Sequence, residues 1–337
     1  MRIVLALVAC TGCVYTSVDT DGRWSSLEEP CVPLGPTHKL LDSTFSVLSV
    51  PAGKTLLYSS GSTISQLDSS SGDSKVVLRS DGISEFGFVG DELVYYEANG
   101  NPQERAPIDV IIDHGAHSTS RYERISPRRG HYNAGLITTH NGIYWWSSAN
   151  GDLEFASEWR WDPVTSSVTP FEMHNKSTVV SDDESFFYFD TDSRLVVRSQ
   201  TTGEVTVVAE LDPEAETTPQ PIGIDGDEVF YFYSTSFELD GDLIARKFDG
   251  TERVLASGRQ FVYGAIDSNY VYFSDGSQDA NWHGTIWRVP RAGGDVQTFF
   301  EAGDFVDVFD IRTDACNVYW QIHTFDSGAL YASEITP

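Results

Sequence analysis

Seven copies of one short phrase constrain this chain more than any other feature. Each copy is an apolar strand centred on an aromatic pair, usually preceded by Asp, Asn or Gly. The copies centre on Tyr58, Tyr95, Tyr144, Tyr188, Tyr231, Tyr272 and Tyr319, at spacings of 37, 49, 44, 43, 41 and 47 residues. A period in the low forties, with several strands per repeat, is the mark of a β-propeller. Length alone would allow two or three domains. Repeats stacked around one axis make a single one instead, and apolar stretches of helical period are absent. The expected fold is all-β: a propeller of seven four-stranded blades spanning residues 37–337. The first and third copies are the least regular, which leaves six and eight blades open.

The repeats also predict the strands. In the sixth, Phe261 to Ile266 reads as strand A and Tyr270 to Phe273 as strand B. Thr285 to Val289 reads as strand C and Val296 to Phe300 as strand D, with Asp267-Ser268-Asn269 and Arg291 to Gly294 as turns. The last repeat has A, B and C strands but no fourth. An unpaired edge there would expose backbone donors and acceptors. The segment His38 to Asp42, just before the first repeat, is predicted to serve as the missing strand and to close the ring.

An aromatic B strand, an I-x-R-x C strand and an Asp-Gly turn, as in LIARKFDGTERVLAS at 243–257, resemble the YWTD-type propellers and their bacterial relatives. The resemblance spans most of residues 38–337. It implies the fold and hardly any function, because propellers host many activities. YWTD propellers usually have six blades, against seven copies here.

The chain opens MRIVLALVACTGC, with one positive charge ahead of a short apolar run. That is the layout of a secretory signal. Leu7-Val8-Ala9-Cys10 resembles the bacterial lipobox, which implies a signal peptide over residues 1–9, lipid on Cys10, and a flexible tether over 10–36. Cys13 as acceptor, or an ordinary cleaved signal, are the alternatives. The resulting expectation is an exported lipoprotein, periplasmic or on the cell surface. It would touch membrane only through its lipid, since no segment approaches the 18 apolar residues of a membrane span.

Export leads to an oxidising compartment, where thiols pair. Cys31 precedes the borrowed strand, and Cys316 sits at the A–B turn of the last repeat. Both reach one end of one blade, which predicts a disulfide between them. The chain-entropy estimate for so long a loop is about 5 kcal/mol. Pairing of Cys31 with Cys13 is the alternative.

The chain has 50 Asp and Glu against 22 Lys and Arg, a net charge of -28. Such a surface repels nucleic acid and anionic headgroups and favours a soluble monomer. Most carboxylates sit in turns; Asp91, Asp183, Asp227 and Asp267 precede B strands and are read as turn formers. One basic stretch departs from this pattern, and Arg121, Arg124, Arg128 and Arg129 are its candidate anion patch. The long B–C loops carry Phe237, Trp282 and His283, and Trp159 and Trp161 lie in the third repeat. Aromatics on loops suit recognition of a glycan or peptide.

No catalytic residue, metal cluster or cofactor motif is assigned: there is no GxSxG elbow, P-loop or zinc spacing. A lactonase-type centre would draw on Glu85, Asn133, Gln260, Asp304 and Asp307 at the starts of A strands. The reading is a non-catalytic binding or scaffold module of the cell envelope, with an envelope protein or glycan as ligand. A hydrolase or lactonase at the central channel is the alternative.

Overall fold

A computed structural model of the chain describes most of residues 33–335, together with two short strands, Ser17–Val18 and Trp24–Ser25, that pair with each other. The residues left out are chiefly 1–16, 26–32, 99–107, 126–132, 149–156, 174–178, 212–218, 235–239 and 276–282. Every regular element among the described residues is a β-strand, and the fold is an all-β propeller. Beyond the short N-terminal pair, the strands form seven four-stranded antiparallel sheets. We number the sheets in chain order and letter their strands A to D from the inside outwards.

Sheet 6 shows the unit. Its strands are A Phe261–Ile266, B Tyr270–Asp275, C His283–Pro290 and D Gln297–Asp304. Neighbouring sheets meet through their A strands. There the space is smallest and glycine is needed. A Cβ on Gly264 would lie 2.9 Å from Ile222 of sheet 5, and one on Gly223 would lie 2.6 Å from Ile266 of sheet 6. The close approach is reciprocal, each glycine admitting the other strand's isoleucine.

The B strands are covered by neighbours on both faces, which is why they read as unbroken apolar runs. Tyr144, Tyr188, Tyr231, Tyr272 and Tyr319 are all fully buried. A buried phenol needs a partner, and the turn before the strand supplies one. Asp267 accepts the backbone N–H groups of Asn269 and Tyr270 through Oδ1, and the Tyr272 hydroxyl, at 2.7 Å, through Oδ2. Asp314 does the same for Cys316, Asn317 and the Tyr319 hydroxyl. One carboxylate thus shapes the turn and satisfies the core aromatic five residues later. In sheet 4 the turn former is Asp182, which holds Glu184 and Ser185; Asp91 and Asp183 lie outside the described residues. Asp227 contributes a backbone carbonyl, which accepts from Phe248.

Sheet 7 has strands A Asp307–Thr313, B Asn317–His323 and C Gly328–Glu334. Its outer strand is His38–Asp42, antiparallel to strand C, with His38 opposite Ala332 and Asp42 opposite Ala329. Leu40 is buried in one cluster with Tyr319, Leu330 and Ala332 of sheet 7 and Leu56, Tyr58 and Leu67 of sheet 1. The first and last sheets therefore share a core. Removal of residues 37–43 takes away this ladder together with a buried leucine, a loss of the size of a large core truncation, about 2–5 kcal/mol or more. The deleted protein should melt well below the parent in a calorimetric scan; an unchanged melting temperature would show that the strand carries no stability.

Candidate functional site

The two ends of the propeller differ in chemistry. At the end holding the A–B turns, the carboxylates are committed to the fold. Asp267 and Asp314 hold their turns. Glu228, nearly buried, binds Arg253 at 2.6 Å, and Asp225 binds Arg291 at 2.6 Å. Arg291 belongs to sheet 6 and Asp225 to sheet 5, so this pair is a brace between sheets.

The other end carries the B–C loops and the connectors from each D strand to the next A strand. Here polar and aromatic groups gather at the inner edge of sheets 6 and 7. Asp307 and Phe309 are two apart on an A strand and share a face. His323 ends the adjacent B strand, directly opposite Asp307. The Phe309 and His323 rings lie 4.5 Å apart, and Tyr263 of sheet 6 approaches Phe309 at 5.5 Å. Asp310, next along, is bonded to Arg312 at 2.7 Å.

The backbone is unusual at the same place. Phe305 and Asp310 have φ of 61° and 46°, in the left-handed region that non-glycine residues seldom enter, and Phe305 is 49% exposed. Strand A also bulges between Phe309 and Arg312, as the A strands of sheets 2, 5 and 6 do, so the bulge belongs to the repeat and the left-handed residues set this sheet apart. Residues held in strained backbone collect at ligand and active sites.

Burial sets the charge states. It raises the pKa of Asp307, an effect that His323 partly offsets. It lowers the pKa of His323, an effect that Asp307 partly offsets. The Tyr263 phenol is pushed up by burial and then by Asp310 and Asp307. His323 is therefore neutral at pH 7, and its Nε2 is buried without a hydrogen-bond partner. Ser274 is buried, and its hydroxyl accepts the backbone N–H of Tyr263.

A second cluster sits on the side of sheet 6 that faces sheet 5. Asp275 accepts from Arg259 at 3.0 Å and from the Trp287 indole at 2.8 Å, while the Arg259 guanidinium stacks 4.0 Å above the Trp287 ring. Phe261 stacks on Phe232 close by.

The residues singled out from sequence fare unevenly. Trp161 is a correction: it is 1% exposed, because in strand C, Ser157–Asp162, alternate side chains turn into the core. Trp159 lies half-buried on the same strand, opposite Trp145 and Pro170, and not on a loop. His283 begins strand C of sheet 6. Phe237 and Trp282 lie outside the described residues, as do Cys10, Cys31, Arg128 and Arg129. Arg121 and Arg124 are on strand D of sheet 2, Thr119–Ile125. Of the channel set, Glu85 and Asn133 lie on A strands, Gln260 is half-buried, Asp304 is exposed, and Asp307 belongs to the cluster above. No three metal-ligating side chains converge among the described residues. Tyr263, Phe309 and His323 were missed from sequence. The tilted contact of Phe309 with His323 depends on register, and no spacing encodes it.

No family model matches the chain, and no curated protein does. Solved structures do. Oligogalacturonate lyase from Vibrio parahaemolyticus aligns with a TM-score of 0.61 at 10% identity, over 97% of this chain and 98% of that one. The β-propeller domain of the Trilobed protease from Pyrococcus furiosus aligns with a TM-score of 0.59 at 12% identity, over 88% and 97%. Pyrococcus horikoshii acylaminoacyl peptidase aligns with a TM-score of 0.56 at 12% identity, over 87% of this chain and 53% of that one. At such identities the likeness is one of fold alone.

His323 should titrate below the ordinary histidine range near 6.5 in an NMR pH series. Asp307→Asn should lower it further, since the carboxylate favours the imidazolium. A histidine whose folded pKa is lowered takes up a proton on unfolding. Its contribution to stability is complete above the unfolded value and is lost as pH falls through 6.5 towards the folded one. A His323 resonance that titrates normally would contradict the burial described here.

Proposed function

We propose that this chain is an exported, lipid-anchored propeller that binds an envelope ligand, a protein or a glycan, at the loop-bearing end of sheets 6 and 7. The seven sheets are read as the blades of one ring, closed by His38–Asp42. The observation that carries the binding reading is the cluster of Tyr263, Asp307, Phe309 and His323. It gathers half-buried rings and a carboxylate beside strained backbone, and its neighbouring serine hydroxyl is already engaged by a backbone N–H. That is chemistry for recognition.

A second reading is a hydrolase or lactonase at the inner strands. The paired Asp307 and His323 favour it as an acid–base couple, and peptidase and lyase propellers share the fold. One experiment separates the two. The Cys10→Ser protein is offered a panel of envelope glycans and peptides, and separately a panel of esters and lactones. Binding without turnover, lost in Phe309→Ala, supports the module. Turnover abolished by both Asp307→Asn and His323→Gln would replace it with the enzyme.

Support for export comes from Cys316, which is disulfide-bonded. The partner we propose is Cys31. Leu34 donates its N–H to Asn317 Oδ1 at 2.9 Å, and Gly35 accepts from Glu334. Residue 31 is thus three residues, or about 10 Å of extended chain, from the neighbour of Cys316. That is within reach of the geometry a disulfide requires. Non-reducing peptide mapping of protein taken from the envelope should recover Cys31 joined to Cys316, and labelled palmitate should be lost in Cys10→Ser. A Cys13–Cys31 peptide would overturn the pairing. Label that persists in Cys10→Ser but not in Cys13→Ser would move the anchor.

A further inference from the structure

The cluster at the inner edge of sheets 6 and 7 holds a negative charge that no lysine or arginine among the described residues cancels. Asp310 is matched by Arg312. No lysine or arginine bridges Asp307 among the described residues; its electrostatic neighbour of cationic type is His323, which burial keeps uncharged at neutral pH. A half-buried carboxylate without a cation leaves its charge for a ligand to meet.

The rings beside it carry the same sign. Tyr263, Phe309 and His323 stand in a row, with 5.5 Å and 4.5 Å between centroids, and none is fully buried. The face of a phenyl or phenol ring is negative and attracts a cation within about 6 Å. Asp307, Phe309 and His323 lie on the face of sheet 7 opposite to the one through which Val308 and Ile322 pack towards sheet 6, the face that carries Tyr319, and all three keep part of their surface exposed. The field of the whole molecule, at net charge -28, raises the local concentration of cations and disfavours anions.

We propose that this cluster binds its ligand through an alkylammonium group, seated between the Asp307 carboxylate and the faces of Tyr263 and Phe309. The inference rests on the reading of this end as the ligand face, and it narrows the ligand to an amine: a lysine side chain, a chain-terminal amine or an amino sugar.

The probe is n-butylammonium, with n-butanol as its neutral counterpart, titrated into the Cys10→Ser protein at fixed ionic strength. The His323 and Tyr263 ring resonances report binding. The ammonium should shift both and saturate, while the alcohol should leave them in place. Asp307→Asn should weaken the ammonium at least about tenfold, the worth of a charge-assisted contact. Phe309→Leu, which keeps apolar bulk and removes the ring, should weaken it about fivefold. Asp73→Asn, an exposed carboxylate at the opposite end, should change nothing. Equal shifts from the alcohol, or equal weakening by Asp73→Asn, would overturn the proposal, the second by reducing the effect to a diffuse ion atmosphere. Binding of a neutral glycan that depends on Phe309, without any response to the ammonium, would overturn it and leave the ligand face standing. If neither class of ligand perturbs these rings, both readings fall.

Discussion

Burial of the B strands from both sides is the constraint on which the rest of the structure depends. A four-stranded sheet with Tyr272, Phe273 and Val271 side by side cannot cover both of its faces. Tyr272 packs with Val308 and Trp320 of sheet 7, and Val271 and Phe273 with Phe230 and Leu243 of sheet 5. Each sheet supplies half of two cores and completes neither. The arrangement satisfies every member only when no sheet lacks a neighbour. The core shared by Leu40, Leu56, Tyr58, Tyr319 and Leu330 shows that condition met where the first sheet lies against the last.

Polar satisfaction follows from the same constraint. Phenols driven to the middle of the protein need acceptors, and the turn aspartates five residues upstream provide them for Tyr272 and Tyr319. One end of the molecule therefore consumes its carboxylates in keeping the fold. The opposite end commits carboxylates too, Asp190 to its turn and to Arg194, and Asp275 to Arg259, but there Asp307 has no lysine or arginine bridging it among the described residues.

Much of the architecture was legible because the aromatic phrase has a period and strands have a pleat. Val271-Tyr272-Phe273 and Val229-Phe230-Tyr231 announce themselves as buried strands, and Asp267 as the turn before one. The strand at His38–Asp42 was legible from an accounting of edges. The site was less so. Trp161 was read as a recognition residue and is core, because one position along a strand exchanges the faces of a sheet. Tyr263, Phe309 and His323 come from two sheets, and their contacts depend on register and on how the sheets meet, which leave no mark in composition. Asp307 was noticed only as one of several polar residues at the starts of inner strands.

The outer strand of sheet 7 ties the beginning of the described domain to its last strand. His38 lies opposite Ala332, so almost the whole chain must be made before that ladder can form. Sheets 1 to 6 are each built from contiguous sequence and can assemble as they are synthesised. The final pairing has the longest loop to close, and closure entropy must be met before its contacts give anything back. Until then the leucines of His38–Asp42 and the edge of Gly328–Glu334 stand open as strands in search of partners. The interval between making the first strand and making the last is thus when this chain is most exposed to association with a second copy, and the register at Leu41 and Leu330 is the step that ends it.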